Sequence, residues 1–156
     1  MTSSRTLLGY MMLLCCSFLL FALYLQHYQY VPPCALCVVQ RYAYAAIIIF
    51  CVIGRMTPLV RTASFFAFLT AIGGAVAASA QIWAMKNPAI QCGRDPLEAF
   101  INSLPTARWL PSVFQSEGYC NEKLDRIIGL TPPEWSLAWL MLFAFVCFII
   151  MLRRSK

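Results

Sequence analysis

The sequence predicts an all-α membrane protein: a four-transmembrane-helix bundle with a short first outer loop and a long second one, the latter carrying a short amphipathic helix. Three observations lead there. Hydrophobic residues make up 61% of the 156 and charged residues only 12%, against roughly 45–50% and 25% in soluble domains. A core of this size cannot hide so much apolar surface, so the bilayer must act as solvent for much of the chain. Four apolar runs each approach the roughly 20 residues that a spanning helix needs. The basic residues, finally, sort to one side of those runs.

The runs fall at about 7–26, 37–54, 62–85 and 135–152, within one domain covering 1–156. Helix is the default for each, because lipid cannot satisfy an exposed strand edge. The first run follows a basic residue, as a cleavable signal would. It is too long for one, however, and ends in LYLQH without small residues at a cut site, so it reads as a retained span. Arg41 interrupts the start of the second run, leaving only 42–54 cleanly apolar. In the third, Gly73 and Gly74 read as small residues that permit close helix packing. Ahead of the fourth, Thr131 is placed to cap the helix, Pro132 or Pro133 suits its first turn, and Trp135 suits interfacial depth.

Arg5, Arg55, Arg61, Arg153, Arg154 and Lys156 fall on one side of the spans with no acidic residue among them. All six acidic residues lie in the stretch 86–134, where five basic ones nearly cancel them. Both termini are therefore expected in the cytoplasm, with loops at about 27–36 and 86–134 facing outward. The net charge of +6 is a topology signal, and no basic patch with interleaved aromatics points to nucleic acid.

Cys15, Cys16, Cys51 and Cys147 lie inside apolar runs and read as small buried hydrophobes. Cys34, Cys37, Cys92 and Cys120 all fall in the outward loops, where disulfide chemistry is allowed. Cys92 and Cys120 enclose 27 residues, and a bridge there would stabilise the loop by roughly 3–4 kcal/mol. Cys34 and Cys37 enclose only Ala35 and Leu36, which makes a poor staple but a good exchangeable bond. If the second span begins near Cys37, Arg41 sits one turn further on the same face. A permanent cation there, together with the positive end of the helix, favours the Cys37 thiolate. Snorkelling to the headgroups is the other reading of Arg41. Pro32 and Pro33 restrict the backbone entering the pair.

A redox pair must pass its electrons on. The chain has no Gly-x-Gly-x-x-Gly turn for a dinucleotide, and its single histidine, His27, reads as an interfacial residue. What remains is a lipid-soluble acceptor arriving through the membrane. A quinone headgroup could meet a Cys37 thiolate at the outer interface, with the Arg41 guanidinium polarising a carbonyl oxygen.

At this point the residues resemble the bacterial disulfide bond formation protein B (DsbB) family over nearly the whole length. The resemblance rests on QHYQYVPPCALCVVQR (26–41), Cys92 followed by Gly93, WLPSVFQSEGYC (109–120) and GLTPPEWSL (129–137). It implies an inner-membrane protein-disulfide:quinone oxidoreductase whose cysteine loops are periplasmic. Reduced DsbA-type thiol oxidase would attack a Cys92–Cys120 disulfide and join to Cys92. Cys120 would pass electrons to Cys34, and the Cys37 thiolate would donate to ubiquinone or menaquinone beside Arg41. Several relatives carry a basic residue late in the third span, where this chain reads SAQIW with Gln81 as the nearest polar residue. The stretch 105–114 (PTARWLPSVF) is amphipathic and suits lying on the membrane surface, or a loop packed on the bundle. The alternative is a structural or metal-binding tetraspan protein whose loop cysteines form static bridges or a zinc site. Against the zinc site, Cys92 and Cys120 lack the usual paired spacing.

Overall fold

A computed structural model of the chain describes residues 3–87, 96–118 and 128–153. In chain order its helices are α1 (Ser4–Tyr28), α2 (Ala35–Met56), α3 (Val60–Lys86), α4 (Pro96–Ser103), α5 (Pro105–Trp109), α6 (Pro111–Phe114) and α7 (Pro132–Leu152). Four of them, α1, α2, α3 and α7, are long and apolar enough to cross a membrane. Among the described residues no strand forms; Cys34 and Gly118 make an isolated parallel bridge.

The spans run slightly past the apolar limits at nearly every end, because capping lets a helix continue into polar sequence. At the start of α2, Cys34 is the N-cap and its sulfur accepts from the Cys37 N–H at 3.3 Å. At the start of α7, the Thr131 N–H and Oγ1 both donate to Glu134 Oε2, at 2.7 and 2.9 Å. Pro132 and Pro133 occupy that first turn, where a missing N–H costs nothing.

α1 packs on α2, α2 on α3 and α3 on α7, while the backbones of α1 and α7 barely meet. The close approach of α3 to its neighbours follows from its small residues. Ala67, Ala71 and Ala78 are fully buried, and a Cβ on Gly74 would lie 2.8 Å from Ala43 Cβ and 3.1 Å from Leu140 Cδ1. Gly73 does not share that role, since a Cβ there would meet nothing within 4 Å. Leu8, Ile47, Leu140 and Phe143 fill the core, and Cys15, Cys51 and Cys147 are fully buried among them. At one end of the bundle, Arg55 donates to the Arg5 carbonyl at 3.1 Å, tying the close of α2 to the opening of α1.

Aromatic side chains reach between α1 and α7 where the backbones do not. The Phe18 ring lies 5.3 Å from Trp139 and 6.5 Å from Phe143, and 5.7 Å from Tyr44 of α2. These pairs close the bundle below a gap lined by both helices.

The amphipathic stretch is more broken than the sequence predicts. Pro105 and Pro111 each begin a new helix, so 105–114 forms two short pieces, preceded by a helix over Pro96–Ser103 that was not expected. Proline cannot continue a helix without losing a backbone bond, but it fits a first turn. Trp109 and Leu110 are exposed, as a membrane-surface segment requires. Ala107 is buried and Phe114 stacks on Tyr42 at 4.4 Å, so one side of the same segment packs on the bundle.

Candidate functional site

The first turn of α2 gathers the site. Cys34 caps that helix and Cys37 follows in its first turn, which sets the two sulfurs 3.0 Å apart with Cys34 Sγ donating to Cys37 Sγ. Cys34 is buried and Cys37 partly so. The short spacing puts both sulfurs at the positive end of one helix, where negative charge on sulfur is stabilised.

A second donor converges on Cys37. The Gln81 side-chain Nε2 donates to Cys37 Sγ at 3.0 Å from α3, 44 residues along the chain. Gln81 in turn accepts from Gln40 Nε2 through its Oε1 at 2.7 Å. Both amides are almost fully buried, at 5% exposure for Gln40 and 1% for Gln81. The sequence marks Gln81 only as a polar residue late in the third span. Gln40 stood unremarked, although a polar residue inside a span is itself a signal of function.

Arg41 is buried at 6% exposure, which sets aside snorkelling to the headgroups. Its Nη1 donates to Gln26 Oε1 and to the Val113 carbonyl, each at 2.8 Å, and its Nη2 donates to the Ala22 carbonyl at 3.4 Å. All three acceptors are neutral oxygens. The guanidinium is thus held by three hydrogen bonds to neutral groups, with no described carboxylate cancelling its charge, and it stays able to attract negative charge. The Val113 contact could not be read from composition, since a backbone carbonyl carries no sequence signature.

Cys34, Cys37, Gln40, Arg41 and Gln81 share the wall of one cavity of about 280 Å³. The rest of the lining is mostly apolar: Phe18, Phe21 and Leu25 of α1, Tyr44 of α2, and Pro133, Trp135 and Trp139 of α7. It occupies the gap that the thin α1–α7 contact leaves. An apolar cleft with a few convergent polar groups is the usual form of a small-molecule site. His27 lies exposed in the last turn of α1 and does not line it.

The second loop docks on the same turn of α2. Ile101 is buried against Ala35 and Val38, and the Tyr42 hydroxyl bonds Thr106 Oγ1. Asn102 brackets the Ser116 backbone, donating to its carbonyl at 3.0 Å and accepting from its N–H at 2.9 Å. The N–H groups of Glu117 and Gly118 then donate to the Pro33 carbonyl, at 3.0 and 3.1 Å. Gly118 lies in the stretch WLPSVFQSEGYC, and its close approach to Pro32 leaves no room for a side chain. Cys92 and Cys120, both assigned from the sequence, lie outside the described residues.

Fold and site together define a multi-pass membrane protein with a largely buried cysteine pair on the wall of an apolar cavity. The chain belongs to the disulfide bond formation protein DsbB family, whose model matches residues 4–150. Among proteins named disulfide bond formation protein B, that of Ralstonia nicotianae is 38% identical over 137 residues, 87% of this chain and 86% of its own. That of Cupriavidus metallidurans is 40% identical over 136 residues, 86% and 84% of the two chains. That of Herminiimonas arsenicoxydans is 39% identical over 146 residues, 92% of each.

Proposed function

We propose that this protein is a disulfide-generating oxidoreductase of the bacterial inner membrane. It reoxidises a periplasmic dithiol oxidase of the DsbA type and delivers the electrons to a membrane quinone, ubiquinone or menaquinone. The carrying observation is the position of the Cys34–Cys37 pair at the junction of the docked loop and the cavity.

The loop side receives electrons. Gly118 pairs with the segment bearing Cys34, and Cys120 follows it by two residues, which reach at most about 7 Å of extended chain. A partner thiolate attacks a Cys92–Cys120 disulfide at Cys92, forming a mixed disulfide and freeing the Cys120 thiolate. Cys120 attacks Cys34 of a Cys34–Cys37 disulfide, forming Cys34–Cys120 and releasing Cys37 as a thiolate. The partner's second thiol then displaces Cys92, so the partner leaves as a disulfide, having lost two electrons and two protons. The freed Cys92 thiolate attacks Cys120, restoring Cys92–Cys120 and leaving Cys34 and Cys37 both reduced.

The cavity side discharges them. Its volume of about 280 Å³ lies near the lower end of ligand sites, roughly 300–1,000 Å³, which suits one flat ring with its tail in lipid. Gln81 and Arg41 supply donors for carbonyl oxygens, and Phe18, Tyr44 and Trp139 supply ring faces. The fit is therefore good. A quinone bound there supplies a two-electron, two-proton acceptor. Arg41 stabilises negative charge in a low-dielectric setting where it counts for more than in water. Cys34 and Gln81 hold the Cys37 sulfur in place by hydrogen bonds.

The test is to mix purified protein with a reduced thioredoxin-like oxidase and a short-tailed quinone, following the quinone's ultraviolet absorbance. One quinone consumed per partner disulfide formed supports the reading. Partner oxidation that proceeds equally without quinone overturns it.

A further inference from the structure

Deepening that reading, and resting on Cys37 as the sulfur that hands electrons on, we propose that Gln40 is a positioning residue: its amide fixes the orientation of Gln81 so that an N–H, not a carbonyl oxygen, faces Cys37. The two ends of a glutamine amide have nearly the same shape, so packing alone does not choose between them. Hydrogen bonds do. Gln40 Nε2 donates to Gln81 Oε1 at 2.7 Å, which commits that oxygen to α2 and turns Gln81 Nε2 toward Cys37 Sγ at 3.0 Å. In the opposite orientation the Gln81 oxygen would meet the sulfur, and two electron-rich atoms would repel as charge develops.

Burial makes the choice firm. Both amides are almost fully buried, so little of either is open to competing water although both line the cavity. Cys37 Sγ also accepts from Cys34, so two donors converge on one sulfur, the arrangement that a thiolate needs. The device is neutral. It supports negative charge on sulfur without adding a second fixed cation to a site that already buries Arg41.

The test reads Cys37 itself, without quinone. The full chain in detergent is reduced, and site-resolved mass spectrometry follows alkylation of Cys37 across pH in wild type, Gln40→Met, Gln81→Met and the double variant. Methionine fills nearly the same space as glutamine, so a purely structural role leaves the profile unmoved. Gln81→Met is expected to slow alkylation at neutral pH by about tenfold, the scale of one hydrogen bond to a charged group, and to move the profile to higher pH. Gln40→Met moves it the same way by a smaller amount, and the double variant is no slower than Gln81→Met alone. A wild-type profile in Gln40→Met, or effects that multiply in the double variant, overturns the proposal. Failure of wild type to reduce quinone would instead strike at Cys37 as donor, and leaves these profiles readable.

Discussion

Gly118 passes so close to Pro32 that a side chain at 118 would overlap the Pro32 carbonyl oxygen, while its N–H donates to the Pro33 carbonyl at 3.1 Å. One contact therefore ties the second loop to the residue preceding Cys34. It also explains why a glycine stands two residues before Cys120.

Gly118→Ala is expected to loosen that junction. The substitution disturbs two loop hydrogen bonds, each worth about 0.5–1.5 kcal/mol, and adds a backbone overlap that no rotamer relieves. Turnover with the thiol partner should fall at least tenfold, while Cys37 alkylation stays near wild type. Partner kinetics and site-resolved alkylation check the two halves. Wild-type turnover would show that the loop does not need this contact.

Arg41→Met removes a buried cation and leaves Gln26 Oε1 and the Val113 carbonyl without their donor. The apparent KM for quinone should rise more than that for the thiol partner. Arg41→Lys keeps the charge but cannot reach three acceptors with a planar fork, so an intermediate effect is expected. Steady-state kinetics with each substrate varied in turn decides the matter. Equal rises in both KM values would indicate a general structural role.

The adjacent glycines of α3 should separate cleanly. Gly74→Val forces a side chain against Ala43 and Leu140, and overpacking of this kind costs roughly 1–3 kcal/mol. Gly73→Ala meets nothing within 4 Å and gains helix propensity, up to about 1 kcal/mol. Thermal unfolding in detergent should therefore show Gly74→Val below wild type and Gly73→Ala at or above it.

The spans were legible because lipid imposes a simple rule on length and polarity, and their starts shifted because caps are local chemistry. Cys34 and Thr131 begin α2 and α7 a few residues ahead of the apolar runs. The helix over Pro96–Ser103 was missed, as it is short and carries Glu98 and Asn102 instead of an apolar run. The cysteine pair was visible from its spacing, and Arg41 from its position inside a span. Gln81 could be named only as polar, because its partner lies 44 residues away. The Val113 carbonyl and the Gln40 amide act through tertiary geometry that no local pattern encodes. Of the four assigned cysteines, the structure brings Cys34 and Cys37 together on the cavity wall, with Cys92 and Cys120 outside the described residues.

The most direct measurement uses reduced protein in which Cys92 and Cys120 are serine, mixed with a short-tailed quinone, with and without Cys37→Ser. We expect one quinone reduced per molecule as Cys34 and Cys37 become a disulfide, and none in the Cys37→Ser variant, which stays folded in the membrane. Quinone reduction that survives loss of Cys37 would contradict the assignment of that sulfur as the point where electrons leave.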